Sequence, residues 1–329
     1  MNHVACVLCR REPAVTQPDA APAASLVEYT MDYHEKLIIA RCNLQIAERN
    51  LRDLPEPTMA AINARDAAAA AYAAAQKAPL GFIAYEGPSV IDGAPIVVIV
   101  NRIDAASDNS KTGALVQTFI IRSDVPPTEA LKTGDDESVC GDCKHRPSLI
   151  AQAVAEGLKV EAPCYVNVGK SVRSVYDAYK RGRYVKAPLE TIALALAGKN
   201  LRIGTYGDGA AAPVIVWHRL IRYCADWVGY SHQWRNIDAG DWAGMLMASV
   251  DNDQEYRDAK ALGWRTFRVA LDERKASTEA RCPASKEMGQ RTTCNACLLC
   301  SGTSKRAKDI VIIDHALGHK KRVIRLATV

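Results

Sequence analysis

The chain has 329 residues, of which 48% are hydrophobic and 24% charged, and its formal net charge is +5. This composition is that of an ordinary globular protein, and the small positive charge permits contact with nucleic acid without requiring it. No stretch approaches the roughly 20 apolar residues of a membrane span. The N-terminus has no signal-peptide pattern, so we expect a cytoplasmic protein without membrane contact.

The first 25 residues are rich in proline and alanine and show no apolar periodicity. We therefore expect residues 1–25 to form a flexible tail. Cys6 and Cys9 lie in this tail, but two thiols alone cannot fill a four-ligand metal site. An unstructured pair is the simpler interpretation of these two cysteines.

Residues 26–79 have the pattern of two helices. The sequence Leu-Pro-Glu-Pro at 54–57 breaks the first helix, and Thr58 is placed to cap the second. We expect a helical hairpin, because alanine-rich faces allow close packing of helices. The 26–77 helices are a candidate homodimer surface, although a structural appendage is the simpler interpretation.

Residues 80–137 contain three β-branched runs that are separated by turn-forming stretches. The runs are GFIAYEG, PIVVIVNRI and LVQTFIIRS. Such runs, interrupted by sequences like IDGAP, are typical of short strands joined by tight connections. The sequence therefore predicts a small antiparallel sheet in this segment.

Residues 138–329 alternate between helical and strand patterns. The predicted helices are 171–184, 214–228 and 253–263, the last ending at Gly263. The predicted strands are 201–206, 229–234, 244–250, 264–271 and 309–316. Because alternating elements of this kind favour parallel strands with crossover helices, we expect an α/β fold, as a full or partial parallel barrel.

The segment CPASKEMGQRTTCNACLLCSG, residues 282–302, is a Cys-rich insertion with four of the chain's 11 cysteines. These are Cys282, Cys294, Cys297 and Cys300. In a reducing compartment clustered cysteines favour metal binding over disulfides. Three cysteines at every third position, with another cysteine beside a proline, have the spacing that bacterial ferredoxins use to bind [4Fe–4S] clusters. Zinc is the alternative, although its thiolate sites more often pair two C-x2-C motifs.

An earlier group comprises Cys140, Cys143 and Cys164, with His145 close to the first two. Two interpretations remain open. His145 could complete a structural zinc site of three thiolates and one imidazole. Alternatively, the three cysteines could bind a [4Fe–4S] cluster and leave its fourth iron open, which is a mark of catalysis rather than scaffolding.

The order of motifs around and after this group resembles that of the radical S-adenosylmethionine (SAM) enzymes. In that family a three-cysteine loop precedes the first helix of a partial α/β barrel. A Gly-Gly-Glu-like turn after the second strand contacts SAM, and a later strand often ends in a Ser-Leu-Asp-like sequence. The resemblance implies that SAM is bound by Gly207, Asp208, Gly209, Ser249 and Asp251. The cysteine spacing here is C-x2-C-x20-C, and Asp208 replaces the usual glutamate.

The resemblance also implies a chemistry. A reduced cluster passes an electron to SAM, whose sulfonium breaks and leaves a 5′-deoxyadenosyl radical, while the protein aims the radical and excludes water. Cys164 followed by Tyr165 is similar to small radical-SAM-like proteins of phages, which implies a phage or mobile-element origin. The Cys-rich insertion is similar to the auxiliary-cluster extensions of some members. His232 and Asn252 could join the SAM site.

Two other functions remain open at this point. One is a zinc-stabilised protein that binds nucleic acid through the basic stretches SKRAKD and HKKRVIR, without redox chemistry. The other is a nuclease that uses Asp208, Asp251 and Asp314 around a divalent metal, but it leaves the cysteines unexplained. The substrate cannot be named from the sequence.

Overall fold

The computed structural model describes residues 39, 41–75, 80–103, 109–157, 164, 166–270, 275–287, 289–303 and 308–313. The expected tail, with Cys6 and Cys9, lies outside the described residues, as do Tyr165, Asp314 and the basic stretch at 319–325. In the described ranges no helix combines the length and the apolar character needed to cross a membrane.

Two helices precede the sheet, α1 over residues 41–52 and α2 at Met59–Ala75. The side chain of Thr58 accepts a hydrogen bond from the amide of Ala61 at 3.2 Å, so the predicted N-cap is present. None of the residues from 41 to 73 is buried. The described part of the helical hairpin therefore adds nothing to the buried core, and its dimerisation stays a prediction.

The remaining chain is built around one ten-stranded sheet. The strands are β1 Gly81–Pro88, β2 Pro95–Asn101, β3 Val116–Arg122, β4 Tyr184–Lys186, β5 Asn200–Tyr206, β6 Asp226–Ser231, β7 Met247–Val250, β8 Thr266–Ala270, β9 Glu279–Arg281 and β10 Asp309–Ile313. Their order is β4-β1-β2-β3-β5-β6-β7-β8-β10-β9. The mostly parallel α/β sheet expected from the alternating patterns is confirmed.

Strands β1, β2 and β3 pair antiparallel, as their sequences predict. They do not form a small sheet of their own, however, because β3 pairs parallel with β5 and β1 pairs parallel with β4. The buried run of β2, Ile96 to Val100, explains the difference, since every one of its side chains is covered. A strand that is buried on both faces belongs inside a larger layered sheet.

In the part of the chain that the structure describes, nine further α-helices connect or flank the strands, and three of them are single turns. They are α3 Pro127–Thr133, α4 Glu137–Cys140, α5 Pro147–Ala155, α6 Arg173–Lys180, α7 Leu189–Ala195, α8 Val214–Leu220, α9 Ala239–Trp242, α10 Asp253–Ala261 and α11 Cys294–Cys297. Gly263 follows α10 with φ +84°, and its amide binds the carbonyl of Lys260 at 3.1 Å, which is the predicted C-terminal cap.

The helix predicted over 214–228 ends earlier than expected. It stops at Leu220, a short 3-10 turn follows, and Asp226 already begins β6. The aromatic and β-branched pair Trp227 and Val228 favours a strand, and here that local preference prevails over the apparent helical period.

Six neighbouring strands, β3, β5, β6, β7, β8 and β10, run parallel to one another. Their carboxyl ends therefore lie along one edge of the sheet, and the loops that follow them are brought together there. The sheet is open, because β4 and β9 occupy its two outer positions. It does not close into a full barrel.

Two cysteine sites at opposite ends of the parallel strands

The loop after β3 carries Cys140 and Cys143 to the carboxyl edge of the sheet. Cys140 ends the one-turn helix α4, and Gly141 then adopts φ +58° and reverses the chain. The amide of Cys143 donates to the carbonyl of Cys140 at 3.3 Å, and the amide of Arg146 donates to the carbonyl of Cys143 at 3.0 Å. These two hydrogen bonds close a compact turn that contains both Cys140 and Cys143.

Arg146 fixes this loop from the inside. Its guanidinium donates to the carbonyls of Gly141 at 2.8 Å and Gly134 at 2.6 Å, and to Oδ1 of Asp136 at 3.0 Å. Arg146 is 4% exposed and Asp136 1% exposed. Burial raises the pKa of Asp136, and the hydrogen bond from Arg146 opposes that rise. The pair is thus a buried link on which the cysteine loop depends.

Cys164 reaches the same place from 21 positions further along the chain. Its amide donates to the carbonyl of His145 at 3.0 Å, which sets it beside the loop. Burial raises the pKa of Cys140 well above its usual value and that of Cys143 to about 12, and the neighbouring cysteines add to both rises. Without a metal these two thiols stay protonated, and a bound cation is what would make them thiolates.

The turn Gly207–Gly209 follows β5 and lies directly against the cysteine loop. The amide of Asp208 donates to the carbonyl of Val139, the residue before Cys140, at 2.6 Å. The carboxylate of Asp208 accepts from the hydroxyl of Ser231 at 2.8 Å and from the amides of Ala210 at 3.0 Å and His232 at 2.7 Å. Asp208 therefore ties the ends of β5 and β6 together and keeps about one lone pair for a further donor.

Gly207 is required at this turn by its backbone. It has φ +79°, and an added Cβ would lie 2.5 Å from the carbonyl oxygen of Ile120. We expect Gly207→Ala to lower the free energy of unfolding by about 2–5 kcal/mol, since the strain of the left-handed backbone and the cost of overpacking add together.

Gly93 is a matched control with the same φ of +79° and no atom within 4 Å of an added Cβ. Urea unfolding of Gly93→Ala should show a loss of only about 1–2 kcal/mol. Equal losses for the two variants would contradict this account.

Ser249 and Asp251 end β7 at the same edge. Ser249 is buried, and its carbonyl accepts from Nε1 of Trp234 at 3.0 Å. Oδ2 of Asp251 accepts from Nε2 of His145 at 3.0 Å and from Nζ of Lys144 at 3.2 Å. Asp251 is thereby linked to the cysteine loop.

The charges around Asp251 keep it ionised. Burial alone would raise its pKa, but the hydrogen bond and charge of His145, with the charges of His232 and Lys144, outweigh burial and lower the pKa to about 2. Burial lowers the pKa of His232, which favours its neutral imidazole. Asn252 does not join this site, because its side chain accepts from the amide of Glu255 and caps α10.

His145, His232 and Asp251 form a group that the sequence did not indicate as a unit. Their ligand atoms all lie within 4.8 Å of one another, and they are the one set of possible metal ligands with this property in the described part of the chain. His145 therefore faces Asp251 rather than completing a tetrahedral set with the three cysteines. The signal that could have found the group is positional, because His232 and Asp251 each directly follow a parallel strand.

The second cysteine group lies at the amino ends of the same strands. The amide of Cys294 donates to the carbonyl of Lys111, which precedes β3, and the carbonyl of Cys300 accepts from the amide of Gly229 in β6. The guanidinium of Arg265, just before β8, donates to the carbonyl of Leu299 at 3.1 Å. The insertion is thus attached to three strands on the side away from the first group.

All four of its cysteines line one cavity, which has an empty volume of about 400 Å³ including the part open to solvent. The opposite wall is apolar and comes from the sheet, with Tyr230 and Phe267 4.2 Å apart between ring centroids. Burial raises the pKa of Cys300 to about 12, and a hydrogen bond from Tyr230 partly opposes this. Cys282, Cys294, Cys297 and Cys300 thus border one cavity, and their convergence on a single metal centre stays a prediction.

The spacing of the sulfurs bears on the kind of metal. A tetrahedral zinc site has Zn–S bonds of about 2.3 Å, which sets its sulfurs about 3.8 Å apart. All seven of these cysteines are described, and no three of their sulfurs lie within 4.8 Å of one another. Both groups are therefore more open than a mononuclear zinc site.

A comparison of the chain with protein-family models, with curated proteins and with solved structures finds no match. The function is therefore inferred from the geometry of the two sites.

Proposed function

We propose that this chain is an iron–sulfur protein and a radical SAM-type enzyme, of phage or mobile-element origin. Cys140, Cys143 and Cys164 bind one [4Fe–4S] cluster, and the Cys-rich insertion binds an auxiliary cluster. One observation carries the proposal. The cysteine loop and the Gly207–Gly209 turn are joined by the hydrogen bond from the Asp208 amide to the Val139 carbonyl at 2.6 Å, between residues 69 positions apart in sequence.

The residues around the first group fit a cluster. Tyr206 is 6% exposed, and its hydroxyl is buried without a hydrogen-bond partner. Burial raises the pKa of Tyr206, and the charges of Cys140, Asp136 and Cys164 add to the rise. A buried donor without a partner is costly, and a cluster sulfide is an acceptor of the kind it lacks.

Each part of the chain has a defined task under this proposal. When bound, the reduced cluster supplies the electron that cleaves the sulfonium of SAM. Three cysteines leave one coordination position open for the amine and carboxylate of SAM. The turn of Gly207, Asp208 and Gly209 presents its backbone and the remaining lone pair of Asp208 to the amine, and Ser249 lies at the neighbouring strand end. Asp251 instead contacts His145 and Lys144.

The architecture supports the same proposal. Catalytic sites of barrel-like α/β proteins lie at the carboxyl ends of the parallel strands, where the first cysteine group is found. We propose that the six parallel strands curve into a partial barrel around this site. The four cysteines of the insertion complete a cluster without an open position, so their role is electron delivery or stability rather than SAM binding.

The experiment is anaerobic reconstitution of the full chain with iron and sulfide, followed by incubation with SAM and a reductant. We expect about eight irons per chain, for two [4Fe–4S] clusters, and the formation of 5′-deoxyadenosine. A colourless protein with stoichiometric zinc would overturn the proposal. The zinc-stabilised nucleic-acid-binding protein would then be the better account, and its affinity for DNA or RNA should fall steeply with salt.

A further inference from the structure

We infer that His145, His232 and Asp251 form a third metal site, which binds one divalent first-row transition-metal ion. The three side chains come from three different elements at the carboxyl edge of the sheet. His145 belongs to the cysteine loop, His232 follows β6 and Asp251 follows β7. The inference goes beyond the proposed SAM chemistry and does not depend on it, because none of the three ligands is a cysteine.

The distances fit a shared ion. Two ligand atoms that each lie about 2.1 Å from one ion are about 3.0–3.4 Å apart when the angle between them is octahedral or tetrahedral. Nε2 of His145 and Oδ2 of Asp251 are 3.0 Å apart, and His232 brings its ligand atom within 4.8 Å of both. The rings of His145 and His232 meet edge to face, with centroids 5.6 Å apart, so both imidazoles border the same space.

A second, independent observation supports a cation bound at Asp251. The side chain of Asp251 is only 6% exposed. Its Oδ2 has two donors, but its Oδ1 is buried and has no hydrogen-bond partner. A buried carboxylate oxygen without a donor is uncommon in folded proteins, and a bound cation is one partner that would satisfy it. A metal ion bound by Oδ1 supplies that partner. Oδ2 then keeps its contact with Lys144, while Nε2 of His145 gives up its hydrogen bond to Oδ2 and offers its lone pair to the ion.

The surrounding charges allow a dication to enter. Lys144 lies 3.2 Å from Oδ2 of Asp251, but it also forms a 2.9 Å ion pair with Glu255. Lys144 is 34% exposed, so it can stay with Glu255 when an ion takes over part of the charge of Asp251. Arg235, at 3.6 Å from Glu255, is 45% exposed and faces solvent.

The donor set selects the type of ion. Two imidazoles and one carboxylate on one side of an ion leave open coordination positions, as in the non-haem iron(II) oxygenases. Imidazole nitrogen favours iron, cobalt or zinc over magnesium and calcium, which prefer ligand sets made of oxygen. An open position here would be available to an oxygen atom of a substrate.

Cobalt(II) distinguishes this site from the cysteines. The probe is cobalt alone, added to anaerobic full-length protein whose cysteine sites are already filled. We expect one further cobalt per chain, with weak ligand-field bands and without the intense charge-transfer band of a cobalt thiolate. His232→Ala should weaken this binding by more than about 100-fold, beyond the 10–100-fold effect of changing a residue that only supports a ligand. Asp251→Asn keeps the side-chain shape and should also weaken it.

His218→Ala is the matched control, because His218 is exposed on α8 and is not one of the three ligands. It should bind cobalt as the wild type does. The iron content at the cysteine sites should be unchanged in all three variants, which reports that each has folded. The inference is overturned by an absence of additional cobalt, by a thiolate charge-transfer band, or by equal affinities for His232→Ala and His218→Ala. If the wild-type protein binds cobalt as expected but does not cleave SAM, that result would count against the proposed function alone.

Discussion

Cys164→Ala is expected to abolish SAM cleavage and to leave the second metal site filled. The variant removes one of three cysteines that would hold the first cluster, and no described cysteine outside the two groups lies beside it. The four cysteines of the insertion are attached to the other end of the strands, at Lys111, Gly229 and Arg265. Formation of 5′-deoxyadenosine should fall by at least about 1,000-fold, and iron should fall by about half.

Cys42→Ala is the matched control for this experiment. Cys42 lies in α1, which contributes no buried residue to the described core, and it belongs to neither group. Its replacement should change neither the iron content nor the yield of 5′-deoxyadenosine. Retention of SAM cleavage by Cys164→Ala, or loss of iron from both sites, would refute the assignment of the two groups.

Arg146→Met is expected to lower the free energy of unfolding by about 3–5 kcal/mol. The variant keeps the apolar stem but leaves the carboxylate of Asp136, 1% exposed, without its charged partner. The carbonyls of Gly134 and Gly141 lose their donors at the same time. Because these groups hold the loop between Cys140 and Cys143, the iron of the first site should also be lost. Urea unfolding under metal-free and metal-loaded conditions measures both effects.

Arg173→Met provides the comparison for a surface ion pair. Arg173 binds Asp177 at 2.8 Å, but both side chains are more than a third exposed. Such pairs contribute about 0–1 kcal/mol, so this variant should unfold almost as the wild type does. A second variant, Arg146→Met combined with Asp136→Asn, removes the buried charge and should recover part of the loss. Equal stability of Arg146→Met and Arg173→Met would show that the buried pair does not fix the loop.

Local patterns predicted the elements whose cause is local. The β-branched runs of β2 and β3, the cap at Thr58 and the stop at Gly263 each follow from a few adjacent residues, and all are confirmed. The short edge strands β4 and β9 were not predicted, because three residues carry too little pattern to separate them from a turn. Their pairing depends on neighbours that are distant in sequence.

The sequence indicates the two cysteine groups for a different reason, and their metal binding stays a prediction. Metal ligation needs particular atoms at close spacing, and cysteine is rare enough that its clustering carries information. What surrounds the sulfurs could not be predicted. The contacts of Asp208 with Ser231, and of Asp251 with His145, join strand ends that are 23 and 106 positions apart. Only the register of the sheet determines which of these ends become neighbours.

Strand β6 touches both sites within a very short length. Its Gly229 binds the carbonyl of Cys300, and its Ser231 binds the carboxylate of Asp208. Two residues of strand amount to a rise of only about 7 Å. If filling one site orders this segment, it also raises the affinity of the other site. Thermodynamic reciprocity then requires that both affinities change by the same factor, so the two centres would assemble together rather than one at a time.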